Sequence, residues 1–167
     1  MSIKQTKINW DKEIIHKELD LIQDVIKRMA INSFQIKAWL IAILSALVVI
    51  ESKSLFAQAS SNQSFSFQMN LFLFLPIMCF WYLDAFFLST EKLYLELYKW
   101  VVTHRPFTLE YLYDLNTFVR EYEGVEENLI KEKNSLWNSM ISKTLWPFYV
   151  LPLFFVLGLL FFNFFRL

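Results

Sequence analysis

The stretch MNLFLFLPIMCFWYLDAFFLSTEKLYLELYKW, Met69 to Trp100, decides the fold. Its apolar part, Met69 to Thr90, holds a single acid, Asp84. At about 1.5 Å of rise per residue, a helix from Met69 to Thr90 covers the ~30 Å hydrocarbon core of a bilayer. A carboxylate at that depth costs several kcal/mol if it stays charged and alone. Asp84 is therefore expected to face protein or water, to meet a cation, or to bind a proton. Beyond Asp84 the pattern continues through Glu91, Lys92, Leu93, Tyr94, Glu96, Leu97, Tyr98 and Lys99, with no Gly or Pro before Pro106. One helix running to about residue 104 and projecting from the membrane is expected, with a kink at Pro76.

Composition points the same way. A chain of 167 residues that is 56% hydrophobic, with 18 Phe, 6 Trp and 7 Tyr, is too apolar for an ordinary soluble domain of its size. Formal net charge is zero, so nothing in the balance suggests nucleic acid. The lone Cys79 excludes an intrachain disulfide and a cysteine-based metal site, and His16 and His104 have no ligands at useful spacing. With only Gly124 and Gly158 there is no Gly-rich phosphate loop. No metal and no cofactor is expected. The first apolar run begins near residue 36 behind a charged segment, so a cleaved signal peptide is not expected either.

Upstream, residues 1–31 read as a cytoplasmic amphipathic helix from Asn9 to Ala30, with Asn9 as N-cap and Asp11 and Glu13 in the first turn. Ile15, Leu19, Ile22, Ile26 and Met29 recur at alternating four and three, a seam suited to another helix. That seam packs on this protein's own cytoplasmic helices, on a second copy, on a partner, or on the membrane surface. The first span is 32–50, entered at Asn32. Lys37 inside it either snorkels to the headgroups beside Trp39 or pairs with Asp84. Residues 51–68 are Ser- and Gln-rich and read as an external loop.

The second span is 69–90. Residues 105–144 form the main polar segment, expected to be helical: Thr108 is a plausible N-cap, and Leu109, Leu112, Leu115, Phe118 and Val119 give an apolar face that breaks at Gly124. Leu112 and Phe118 are docking candidates on that face, as Ile15, Leu19, Ile22 and Ile26 are on the first. The third span is 145–165, with Pro147 in its first turn, Pro152 inside it, Gly158 permitting close approach of a neighbour, and Asn163 at the far interface.

Seven Lys and Arg precede Trp39 and seven more lie between Lys92 and Lys143, so fourteen of sixteen fall on one side of this arrangement. The positive-inside rule then makes the N-terminus and middle segment cytoplasmic and the C-terminus external. The fold class expected is an all-α membrane protein with three spans, N-in and C-out. In that topology Lys37 and Asp84 lie at matching depth. Either they lock two helices together, within or between chains, or Asp84, with Glu91 two turns on, lines or gates a path.

The segments NSFQIKAW and FWYLDAFFLSTEKLYLELY resemble a group of small bacterial membrane proteins. These combine an Asn-Ser-x-x-x-Lys-x-Trp start to the first span with a Phe-Trp-x-Leu-Asp-Ala-aromatic-aromatic-Leu-x-x-Glu stretch in the second. The positions here are Asn32, Ser33, Lys37 and Trp39, then Phe80, Trp81, Leu83, Asp84, Ala85, Phe86, Phe87, Leu88 and Glu91, and the likeness covers roughly residues 29 to 100. The resemblance implies a multi-pass protein of the bacterial inner membrane, of the kind suspected as membrane effectors in phage-defence operons. Asn32, Trp39, Trp81 and Gly158 are candidates for helix interfaces.

Two functions compete. In the first, copies form a homo-oligomer in the lipid bilayer and perturb the membrane as an effector or pore, with cytoplasmic helices receiving a signal or protein partner. In the second, the chain is a non-catalytic anchor that docks a soluble partner. An enzyme is not expected: Asp84 has no second acid within its span, and Ser33 and Ser45 have no intramembrane His.

Overall fold

The computed structural model describes residues 12–56, 63–122, 124–128 and 134–165. The elements in order are α1 (Lys12–Phe56), α2 (Gln63–His104), β1 (Val119–Tyr122), β2 (Val125–Asn128), α3 (Leu136–Met140) and α4 (Trp146–Phe165). Asn9 and Asp11, expected to open the first helix, lie outside the described residues.

Two long helices dominate. α1 has 45 residues and α2 has 42. Both contain a stretch long and apolar enough to cross a membrane, and only 11% and 22% of those stretches is buried within the protein. A core helix of a soluble protein would be mostly covered. These are not, and their surfaces match an apolar solvent. α4 is a third, shorter apolar helix of 20 residues.

Two boundaries differ from the sequence expectation. α1 runs unbroken from the amphipathic seam into the apolar stretch, because Ile31 to Ser33 contains neither Gly nor Pro to stop it. The expected loop over 51–68 is mostly helix: α1 continues to Phe56 and α2 starts at Gln63. Polarity ends the apolar run there, but without a breaker it does not end the helix. Inside α1, Ser45 donates to the Ile41 carbonyl at 2.7 Å, which satisfies its hydroxyl without leaving the helix.

The chain divides into two compact units. The first comprises residues up to Ile31 together with Phe87–Leu136. Here the seam of α1 meets a matching seam on α2. Ile22, Leu97, Trp100 and Val101 are the buried core, with Leu19, Ile26, Tyr94, Tyr98, Leu115 and Tyr122 packed against it. Tyr94, Leu97, Tyr98 and Val101 follow the same three-and-four spacing as Leu19, Ile22 and Ile26, so each helix offers one stripe to the other. Gln23 reaches across to the Tyr98 hydroxyl at 3.3 Å.

The expected helix after Thr108 does not form. Thr108 does accept from the Glu110 amide at 3.1 Å, but the chain then makes turns, with Tyr111 and Tyr113 at φ of 57° and 59°, and enters an antiparallel hairpin. The cause is competition for backbone groups. The Arg105 guanidinium takes the carbonyls of Thr108, Glu110 and Tyr111, which a helix would need for itself. Asp114 accepts from the Asn116 amide and Asn116 from that of Phe118, two successive Asx turns. β1 and β2 pair from Val119 opposite Asn128 to Tyr122 opposite Val125. Gly124 closes the hairpin at φ 77°, a conformation open to glycine and costly for an L side chain. Gly124→Ala is therefore expected to destabilise the hairpin by about 1 kcal/mol, although a methyl group there would meet nothing within 4 Å. Faster amide exchange confined to 119–128 would be the sign of it.

The second unit comprises Asn32–Phe86 and Trp137–Leu167. Ile36, Leu40, Leu73, Ile77, Ala85, Leu145, Tyr149 and Val156 are buried in it, while Phe34, Phe72, Leu75, Leu151, Phe154 and Phe161 point outward.

Candidate functional site

Asp84 is completely buried, at 0% exposure, and three side chains converge on its carboxylate. Lys37 approaches Oδ2 at 2.6 Å, Tyr149 donates its hydroxyl to the same oxygen at 2.9 Å, and Ser33 donates to Oδ1. Lys37 also donates to Ser33 Oγ at 2.7 Å. The three partners come from two helices. Ser33 and Lys37 are four apart on α1 and so share a face, and Tyr149 lies in the first turn of α4. One carboxylate of α2 thus ties the other two apolar helices of the unit to itself.

The chemistry of the cluster is balanced. A buried carboxylate needs a counter-charge and partners for its lone pairs, and here one ammonium and two hydroxyls supply both. Lys37 keeps 27% of its side chain exposed, whereas the carboxylate it meets has none. Tyr149 is held in turn. Its ring is stacked on Trp81 with centroids 5.9 Å apart and planes 5° apart, and Trp81 Nε1 donates to the Met140 carbonyl at 3.1 Å. Replacing Tyr149 with Phe removes one donor to a charged acceptor and leaves the shape intact. A loss of about 1.5–3 kcal/mol is expected, read as a lower unfolding temperature in detergent.

The other residues singled out in the sequence fall in different places. Glu91 is half-buried, two turns further along α2 than Asp84 and in the first unit rather than the second. Asn32 is half-buried and Trp39 is 62% exposed. Gly158 is exposed, and a side chain built there would meet nothing within 4 Å among the described residues. Ile22 is 1% exposed, and Leu19 and Ile26 pack beside it, so this part of the proposed docking seam is already occupied by α2. Ile15 and Leu112 are half-buried. Phe118, just before β1, and Val119 and Val125 on the hairpin are exposed.

A second buried charge centre, in the first unit, escaped the sequence reading. Arg105 and Glu18 are each 1% exposed or less and form a two-pronged ion pair, Nε to Oε2 at 2.6 Å and Nη2 to Oε1. Glu18 also accepts from the Tyr113 amide at 3.2 Å. Arg120 lies over the rings of Trp100 and Tyr111 at 5.5 and 4.8 Å and binds the carbonyls of Asp114 and Asn116. Burial pushes the Arg120 guanidinium below its ordinary pKa, with Asp114 opposing and Arg105 adding to the shift. Glu18 and Arg105 are 87 residues apart in sequence, and no local pattern joins them. Tyr149 did leave a signal, as the one hydroxyl in an apolar run, a turn inside the same end of its span as Trp146.

No protein-family model matches this chain, and searches of curated proteins and of solved structures found no match.

Proposed function

We propose that this chain is a three-span protein of the bacterial inner membrane, N-in and C-out, that oligomerises and acts as a channel-like effector by perturbing the membrane, under control of a cytoplasmic signal or partner. The observation that carries this reading is the Lys37, Ser33, Asp84 and Tyr149 cluster, buried among helices whose outer surfaces are apolar. A passive anchor gains little from such a cluster, since well-packed apolar residues hold helices together as well as or better than a buried ion pair. A contact that can be broken is a different matter. Separating Lys37 from Asp84 leaves two charges that must be hydrated, and water drawn between spans is a route to leakage.

The test is membrane potential and growth in cells expressing wild type or Asp84→Asn, with the amount of protein in the membrane measured alongside. Depolarisation by wild type, alone or with its trigger, that is lost in Asp84→Asn at equal abundance supports the effector. Unchanged potential in every state defeats it.

The exposed Phe118, Val119 and Val125 favour a second reading, an anchor that docks a soluble partner through the hairpin. Mild-detergent purification from the native host should then recover a stoichiometric second protein, which Phe118→Ser releases.

A further inference from the structure

Along α1, Leu21, Asp24, Val25, Lys27, Arg28 and Ile31, with Leu115 behind them, line an open groove of about 530 Å³. Its chemistry is graded. Asp24, Lys27 and Arg28 make the polar band, and Ile31, 56% exposed, follows one turn further along the helix, where the outward-facing apolar surface of α1 begins. Leu115 also packs against the core of the first unit, so the wall behind the groove is fixed. Two cations and one carboxylate leave the band with one net positive charge. The carboxylate does little to neutralise Lys27: their separation is 3.9 Å with both side chains about 70% exposed, a geometry worth next to nothing in water.

We propose that this groove is a binding site for the phosphate of an anionic phospholipid, with Arg28 and Lys27 on the phosphate oxygens and Ile31 against the glycerol end. The size suits a headgroup. A planar guanidinium matches phosphate in a way a lone ammonium does not, which makes Arg28 the principal contact. The position suits it too. Basic side chains at the point where a helix surface turns apolar meet the headgroup layer of the leaflet, and each such charge strengthens binding to an anionic membrane about fivefold. The inference rests on the membrane reading above.

The experiment uses the full chain in nanodiscs of phosphatidylcholine with a rising fraction of phosphatidylglycerol, following thermal stability and, by native mass spectrometry, retained lipid. Wild type should gain stability and keep phosphatidylglycerol. Arg28→Gln should need about a fivefold higher fraction for the same effect, Lys27→Gln with Arg28→Gln should abolish it, and Asp24→Asn should strengthen it. Indifference of Arg28→Gln overturns the proposal. Saturation of the effect by inorganic phosphate in plain phosphatidylcholine discs also overturns it, in favour of a soluble phosphate ligand. Alkaline extraction of native membranes separates the two levels: release of the protein defeats the membrane reading itself. A protein that stays in the membrane yet ignores phosphatidylglycerol defeats only the lipid site.

Discussion

Lys37→Met is expected to destabilise the second unit by about 3–5 kcal/mol, because it leaves the Asp84 carboxylate at 0% exposure with two hydroxyls and no counter-charge. The methionine fills the space of the lysine stem, so packing is not the source of the loss. Thermal unfolding in detergent and the amount of protein retained in membranes should both register it. The informative companion is Lys37→Met combined with Asp84→Asn. Removing both charges deletes the attraction and the penalty together, and the carboxamide introduced by Asp84→Asn can still accept from Tyr149 or Ser33. Most of the lost stability should return, and a double variant no better than Lys37→Met would show that the damage is not the unpaired charge. The same pair of variants bears on function: recovery of abundance without recovery of depolarisation would mean that the ion pair is needed for more than folding.

A comparably large effect is expected in the first unit from Arg105→Met. Glu18 would be left buried and unpaired, at a cost of about 3–5 kcal/mol, and the carbonyls of Thr108, Glu110 and Tyr111 would lose their donor as well. Hydrogen exchange should rise first over 105–118, since that segment has no regular ladder of its own. Arg105→Lys should not rescue it. An ammonium carries the charge but cannot reach both oxygens of Glu18 and three carbonyls from one position. If Arg105→Lys proves as stable as wild type, the guanidinium geometry is not what shapes this segment.

The long helices are legible because their causes are local. Met69 to Thr90 is apolar for more than the thickness of a bilayer, nothing from Glu91 to His104 can stop a helix, and Pro106 can, so α2 ends where the chain says it must. Local reading fails over 108–122 for an equally definite reason. Leu109, Leu112 and Leu115 do have helical spacing, but periodicity reports only which side chains seek burial. It does not show that Arg105 claims the backbone carbonyls on which a helix there depends. The seam from Leu19 to Ile26 is a packing surface by its spacing alone, yet its partner, the stripe from Tyr94 to Val101, is identified only in the folded chain.

Asp84 shows the same division within one site. That an acid in an apolar run must face protein or water, meet a cation or bind a proton follows from desolvation alone, and Lys37 at matching depth is one candidate partner, with snorkelling to the headgroups as its alternative. Ser33 and Tyr149 are not anticipated as its partners, because a hydroxyl in an apolar run, visible as it is at Tyr149, does not say which acceptor it will meet. The sequence by itself determined the two long apolar helices and that Asp84 cannot stay charged and alone, since both follow from the free energy of placing particular groups in apolar surroundings. Only the tertiary structure decided which donors complete the carboxylate, that Glu18 and Arg105 meet, and that 108–122 is turns and hairpin. Each of these is a hydrogen-bonding choice between groups distant in sequence, settled by which donor arrives when the helices pack.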